Sequence, residues 1–69
     1  MEKIYLRDEY IKLGQALKAA GLVGSGVDAK FEIQDGKVRV NGEVCCMRGK
    51  KLVEGDIVDY AGEQILICR

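Results

Sequence analysis

A chain of 69 residues, of which 48% are hydrophobic and 32% charged, suits one small globular domain and is too short for two. Its 11 cations balance its 11 acids, which excludes a global positive field as the means of attracting a polyanion. No apolar run approaches the roughly 20 residues of a membrane helix, and no signal sequence is evident, so a cytoplasmic protein is predicted. Three cysteines without a histidine or a Cys-x-x-Cys motif predict neither a disulfide framework nor a metal site.

The chain begins with a predicted strand and a predicted helix. Residues 2–7 alternate in polarity, which is typical of a short strand. Asp8 is the expected N-cap of a helix that runs to about Ala20 and ends at Gly21. Its apolar stripe comprises Tyr10, Leu13, Leu17 and Ala20. Gly14 inside this helix costs about 1 kcal/mol relative to alanine, which either a close approach of another backbone or a tolerated weakness would explain.

A second helix is predicted to begin at Ser25, with Asp28 as the other half of a variant capping box. It ends at Asp35-Gly36, where the chain turns into a strand. Two apolar pairs at i, i+4 are expected along it, Val27 with Phe31 and Ala29 with Ile33. Because a connector of about four residues joins the two helices, they should pack as a compact pair.

Residues 36–42, Gly-Lys-Val-Arg-Val-Asn-Gly, predict a hairpin with one apolar face and one cationic face. Strand alternation places the two valines on the first face and Lys37 and Arg39 on the second. Asn41-Gly42 accepts positive φ at both positions, which favours a two-residue type I′ loop with Val40 opposite Glu43. Further on, the sequence predicts a basic turn at 48–51 and strands near 57–60 and 64–68.

Charge is distributed unevenly along the second half of the chain. Residues 37–51 hold five cations against Glu43 alone, whereas residues 54–63 hold four acids and no cation. A local positive potential attracts a polyanion even when the total charge is zero, although charged turns are commonly only solvated. Both interpretations stay open on charge alone.

Catalysis is not predicted, because the chain has no histidine to act as a base and no cysteine with an evident activating partner. Residues 21–26 resemble a phosphate-binding loop only superficially, since they lack the lysine of a P-loop. The start of the second helix nevertheless offers unpaired N–H groups between Gly24 and Gly26, with Lys30 one turn further on. Together with the cationic face of the hairpin, these groups would form one continuous anion-binding surface. Ordinary capping by Ser25 accounts for the same residues without any ligand.

Several motifs occur in the order typical of one family. They are Leu13-x-x-x-Leu17, Gly21-Leu22, Ser25, Ala29-Lys30, Ile33, Gly36-x-Val38-x-Val40-Asn41-Gly42 and Gly55-Asp56-Ile57. From about Lys12 to Val58 the chain resembles the RNA-binding domain named after small-subunit ribosomal protein S-four, also called the alpha-L motif. The resemblance implies an α+β fold in one domain over residues 1–69, with a two-helix unit packed on a small, mostly antiparallel sheet of four to five short strands.

The same resemblance implies a stand-alone bacterial protein that binds structured RNA, ribosomal or transfer, mainly through the phosphate backbone. No catalysis, cofactor, metal or membrane partner is expected, and nothing demands more than a monomer. The alternative is a small adaptor that uses the same fold to bind proteins without RNA.

Family position also implies which residues meet RNA. Lys12 takes the place of the family's first-helix arginine, whereas Gly26 stands where the family usually has an arginine, so the 48–51 turn is expected to share the binding. The expected RNA-binding residues are Lys12, Ser25, Gly26, Lys30, Lys37, Arg39, Asn41, Arg48, Lys50 and Lys51. Tyr10 and Phe31 are expected in the core, so stacking of bases on aromatic side chains is not predicted.

Overall fold

The computed structural model describes residues 1–69 and contains two helices and seven strands. In chain order they are β1 (Glu2–Tyr5), β2 (Ile11–Lys12), α1 (Leu13–Ala19), α2 (Gly26–Gln34), β3 (Val38–Val40), β4 (Glu43–Val44), β5 (Lys51–Leu52), β6 (Ile57–Tyr60) and β7 (Glu63–Cys68). The predicted succession of a strand, two helices and several short strands is confirmed, with β2 and β5 as additions.

The strands form one larger sheet and one small ladder. The larger sheet has five strands in the order β1-β7-β6-β3-β4, and only the β1–β7 pair is parallel. This is the mostly antiparallel sheet that the resemblance implied. The ladder pairs β2 with β5, and its two residues per strand are too few for alternation to reveal in a sequence. Neither helix is long and apolar enough to cross a bilayer.

One face of the larger sheet packs against the helices and forms the core. Alternation along β3 buries Val38 and Val40 and leaves Arg39 exposed. The fully or almost fully buried side chains are all apolar: Leu13, Ala16, Leu17, Ala29, Ile33, Val38, Val40, Leu52, Val58, Ile65 and Ile67. The domain is therefore a helical layer on one face of a sheet, with the second face of the sheet open.

Two aromatic residues expected in the core lie on the surface instead. Tyr10 is 38% exposed and Phe31 is 60% exposed. Tyr10 precedes α1, so it does not belong to the buried stripe of that helix. Phe31 lies two residues, or about 200° around the axis, from the buried positions Ala29 and Ile33. The reason for excluding contact between bases and aromatic side chains is therefore removed.

The start of α1 also differs from the prediction. Asp8 is not its N-cap, because the helix begins at Leu13 and no side chain caps it. The N–H of Leu13 donates to the carbonyl of Lys50 at 2.8 Å, and that of Gly14 donates to the carbonyl of Arg48 at 3.1 Å. Backbone carbonyls from a turn that is distant in the sequence thus accept hydrogen bonds that a capping side chain would otherwise accept.

Both helices end at the predicted glycines, and the hairpin has the predicted loop. Gly21 and Gly36 have φ of 73° and 76°, as a left-handed C-terminal cap requires. Asn41 and Gly42 have φ of 53° and 85°, and Val40 pairs with Glu43 as expected.

Candidate functional site

The start of α1, the start of α2 and the turn at residues 48–49 meet around a surface cleft of about 360 Å³. We call it the basic cleft. It is lined by Lys12, Gly14, Gln15, Lys18, Gly26, Arg48 and Gly49. Three of these residues are cations and none is acidic or apolar, so the local potential is positive although the chain as a whole is neutral.

The α1 wall of the basic cleft is made by Lys12, Gln15 and Lys18, which follow one another at a spacing of three residues. Lys12 directly precedes the helix as its N-cap residue, and Gln15 and Lys18 lie on one helix face. Sequence reasoning found Lys12 but missed Gln15 and Lys18. The spacing was visible in the sequence and would have revealed them.

Lys12 has a second cation beside it. In the β2–β5 ladder it lies directly opposite Lys51. Like charges in directly opposed positions destabilise an antiparallel pair, so the fold concentrates positive charge here at a cost. A bound anion would relieve that repulsion.

The turn that carries Arg48 is held firmly against α1. Its carbonyls accept the hydrogen bonds from Leu13 and Gly14, and the β2–β5 ladder follows directly. These contacts fix the backbone of Arg48 at the N-terminus of α1.

Gly14 makes room for the side chain of Arg48. A Cβ atom at Gly14 would lie 2.7 Å from Cγ and 3.4 Å from Cδ of Arg48. The predicted close approach of another backbone is not what the structure shows, because the atoms nearest to this Cβ position belong to a side chain. The approaching group is chiefly a side chain, with the Arg48 carbonyl oxygen 3.7 Å away.

The start of α2 combines a cap with free donors. The Ser25 hydroxyl accepts a hydrogen bond from the N–H of Asp28 at 3.2 Å, which confirms the predicted cap. The Asp28 carboxylate accepts no hydrogen bond from the Ser25 N–H in return, so the predicted capping box is only half formed. The N–H groups of Gly26 and Val27 donate to no protein acceptor. Gly26 lines the basic cleft, so its donor lies at the edge of the positive region.

The hairpin cations predicted to bind RNA lie outside the basic cleft. The Lys37 ammonium pairs with Glu32 at 3.2 Å and with Asp35 at 3.9 Å. Arg39 lies opposite Asp59 in the β3–β6 pairing, on the face turned away from the helices. The structure therefore does not form the expected continuous surface from the hairpin to the start of α2.

Asn41 is occupied within the fold. Its amide nitrogen donates to Asp56 Oδ1 at 3.0 Å, and its amide oxygen accepts from the N–H of Ile57 at 2.9 Å. These bonds tie the hairpin loop to the turn before β6. The residue thus has a structural task, whatever else it contacts.

The other predicted cations do not line the basic cleft. Lys51 places its ammonium 4.8 Å from the centre of the Tyr10 ring, a cation–π geometry. Lys50 lines a different depression, beside the hairpin. Lys30 is exposed on α2 and forms no salt bridge.

A hydrogen-bonded group of three side chains joins α2 to the sheet. Its central member is Glu32, the acid that pairs with Lys37. The Tyr60 hydroxyl donates to Glu32 Oε1 at 2.5 Å, and Lys37 donates to Oε2 at 3.2 Å. The Tyr60 bond, followed by the Lys37 bond, lowers the pKa of the Glu32 carboxyl. The same bond to Glu32 raises the pKa of Tyr60.

A two-helix unit packed on a small, mostly antiparallel sheet is the alpha-L architecture. The sequence profile of the S4 domain matches residues 4–68. The chain therefore belongs to the S4 domain family.

Curated relatives and a solved structure agree with this membership. The chain is 42% identical over 59 residues to the probable ribosome maturation protein RlbA of Bacillus subtilis (strain 168), covering 86% of this chain and 83% of the relative. It is 34% identical over 58 residues to the putative RNA-binding protein YbcJ of Escherichia coli (strain K12), covering 84% and 83%. The solution structure of Escherichia coli YbcJ, described as an alfaL motif involved in RNA binding, superposes with a TM-score of 0.76 at 31% identity, covering 100% of this chain and 89% of that one.

Proposed function

We propose that this chain binds structured RNA without catalysis and that the basic cleft contacts the phosphate backbone. The observation that carries the proposal is the convergence of Lys12, Lys18 and Arg48 on one cleft with no acidic lining residue. Arginine and lysine supply most contacts to nucleic-acid phosphates, and such contacts position a protein without reading sequence.

The relatives support this choice of ligand, since one is named a putative RNA-binding protein and another a probable ribosome maturation protein. They favour ribosomal RNA over transfer RNA as the class. We accordingly place the protein in the cytoplasm, in a step of ribosome maturation, and expect it to act as a monomer.

Charge reversal on one wall of the basic cleft tests the proposal. The double variant Lys12→Glu/Lys18→Glu should bind a structured ribosomal RNA fragment at least tenfold more weakly in fluorescence anisotropy. Each phosphate contact contributes roughly 0.7–0.9 to the slope of log K against log salt, so the slope should fall by about 1.5. The fold should persist, because removing the cation opposite Lys51 also removes a repulsion.

The matched control is Lys3→Glu/Arg69→Glu, which alters net charge equally at two exposed positions outside the basic cleft. It should keep its affinity within about twofold. Equal weakening by both double variants would show a general charge effect and would reject the basic cleft as the site.

One observation favours the second candidate, a protein-binding adaptor. Val27 and Phe31 are each 60% exposed on α2, where they contribute apolar surface that a phosphate backbone does not use. A protein partner that is retained after nuclease treatment, together with no measurable affinity for RNA, would support the adaptor.

A further inference from the structure

A second cleft, of about 580 Å³, lies between α1 and the segment that runs from β1 to β2. We call it the tyrosine cleft, because Tyr5 and Tyr10 line it. Gln15 and Lys18 line both this cleft and the basic cleft, so the two share a wall. A ligand held by cations in the basic cleft therefore has an aromatic recess directly beside it.

The lining of the tyrosine cleft suits a flat ring with polar edges. Its volume falls within the roughly 300–1,000 Å³ typical of ligand pockets. Ile4, Leu6 and Ile11 supply apolar surface, whereas Arg7, Asp8 and Gln15 supply hydrogen-bonding groups. Nucleobases combine a stacking face with donors and acceptors on the edge, and proteins recognise unpaired bases through both.

The side chains of the two tyrosines are not buried in the core. Tyr5 is 65% exposed and Tyr10 is 38% exposed, so folding leaves much of both side chains accessible. Lys51 supports the Tyr10 ring with its ammonium 4.8 Å from the ring centre, and Lys51 is not among the residues that line the cleft. Tyr10 therefore contacts Lys51 and also lines the cleft.

We propose that the tyrosine cleft takes an unpaired nucleobase of the RNA whose phosphates lie in the basic cleft. This inference rests on the proposed function and adds to it a preference for RNA that carries an unpaired base. An RNA with a bulged nucleotide next to a paired stem should bind more tightly than the same stem fully paired, because only the first can place a base against Tyr10 without breaking a pair.

Two RNA hairpins of identical stem test the preference, one fully paired and one with a single bulged 2-aminopurine. The wild-type protein should bind the bulged hairpin about tenfold more tightly in anisotropy, the size expected of one base stacked on an aromatic ring. Stacking should also quench the 2-aminopurine fluorescence. Tyr10→Leu should abolish the preference and the quenching, and Tyr5→Leu, at a more exposed position, should reduce both.

Phe31→Leu is the matched control, since Phe31 is an exposed aromatic residue outside the cleft and its loss should leave the preference intact. Equal affinity of wild-type protein for the two hairpins would overturn the inference, and so would a preference that survives in both tyrosine variants. In either case, salt-sensitive binding that is lost in Lys12→Glu/Lys18→Glu would leave the proposed function standing. Failure of the wild-type protein to bind either hairpin at low salt would instead overturn both proposals.

Discussion

Two groups of cations on this domain differ in their surroundings. Lys12, Lys18 and Arg48 line a cleft without an acid, whereas Lys37 lies 3.2 Å from Glu32 and Arg39 faces Asp59 across the sheet. The first group is a positive region that lacks a counter-charge within the protein. Each cation of the second group has an acidic residue of the protein either as a salt-bridge partner or as its cross-strand neighbour.

The comparison extends to the strand pairing. The β2–β5 ladder sets Lys12 opposite Lys51, which is unfavourable, and the β3–β6 pairing sets Arg39 opposite Asp59, which is favourable. Folding alone accounts for the second arrangement. The first is partly offset by the Tyr10 ring beside Lys51, and a bound anion would relieve the remaining repulsion.

Neutralising one arginine from each group is expected to give the largest contrast. Arg48→Gln should weaken RNA binding about tenfold, since a charge-assisted hydrogen bond is worth roughly 1.5–3 kcal/mol and part of it is recovered by solvent. It should also reduce the salt slope by about 0.7–0.9. Arg39→Gln removes the same charge and should change neither quantity appreciably in anisotropy titrations.

A comparable loss in the two variants would contradict this contrast. It would mean that RNA contacts both the hairpin face and the basic cleft, which is the continuous surface that the sequence predicted. A loss confined to Arg39→Gln would move the site to the open face of the sheet.

Local signals predicted much of the fold. The helix ends at Gly21 and Gly36 and the Asn41-Gly42 loop depend on neighbouring residues only, and the structure confirms all three. The fold class followed from the order of these elements together with the family motifs. Ser25 was likewise recognised as a cap, because its hydrogen bond reaches only three residues along the chain.

What the sequence did not reveal depends on distant residues. The start of α1 is set by the carbonyls of Arg48 and Lys50, which accept hydrogen bonds from its first two residues. Asp8 was predicted as the N-cap because aspartate is common at that position, but the helix begins five residues later, at Leu13. The placement of Arg39 opposite Asp59 depends on the β3–β6 register, which pairs strands that are distant in the sequence. For the same reason Arg48 was predicted only as a compensating contact, although the structure places it against Gly14 beside Lys12.

A smaller effect is expected at Gly14, which sharpens the account of how Arg48 is placed. Gly14→Ala adds a Cβ 2.7 Å from Arg48 Cγ, so the arginine side chain must move. RNA affinity should fall about threefold, while the unfolding temperature changes little because alanine favours the helix by up to about 1 kcal/mol. Anisotropy and thermal unfolding by circular dichroism measure the two effects separately.

The double variant Gly14→Ala/Arg48→Gln supplies the control. If Gly14 acts through Arg48, the alanine should cause no further loss of affinity once the arginine is gone. Additive losses would show that Gly14 contributes to the basic cleft independently, for example through its backbone.

The smallest expected effect concerns the hydrogen bond between Tyr60 and Glu32 and its pH-dependent contribution to the free energy of unfolding. Tyr60→Phe removes the main cause of the lowered pKa of Glu32. The wild-type bond stabilises the fold above the usual carboxyl pKa of 4.5, and that contribution is lost as the pH falls through the lowered value. Because the pKa of Tyr60 is raised above 10.0, the contribution also disappears as the pH rises through that higher value.

Urea unfolding of wild-type protein and Tyr60→Phe should therefore show a difference in the free energy of unfolding that is greatest between about pH 5 and 9 and shrinks at both ends. RNA affinity at pH 7 should be unchanged, since neither Tyr60 nor Glu32 lines the basic cleft. A stability difference that is independent of pH would show that the tyrosine hydroxyl acts by packing alone. A loss of affinity would show that the hydrogen-bonded group of Tyr60, Glu32 and Lys37 contributes to RNA binding.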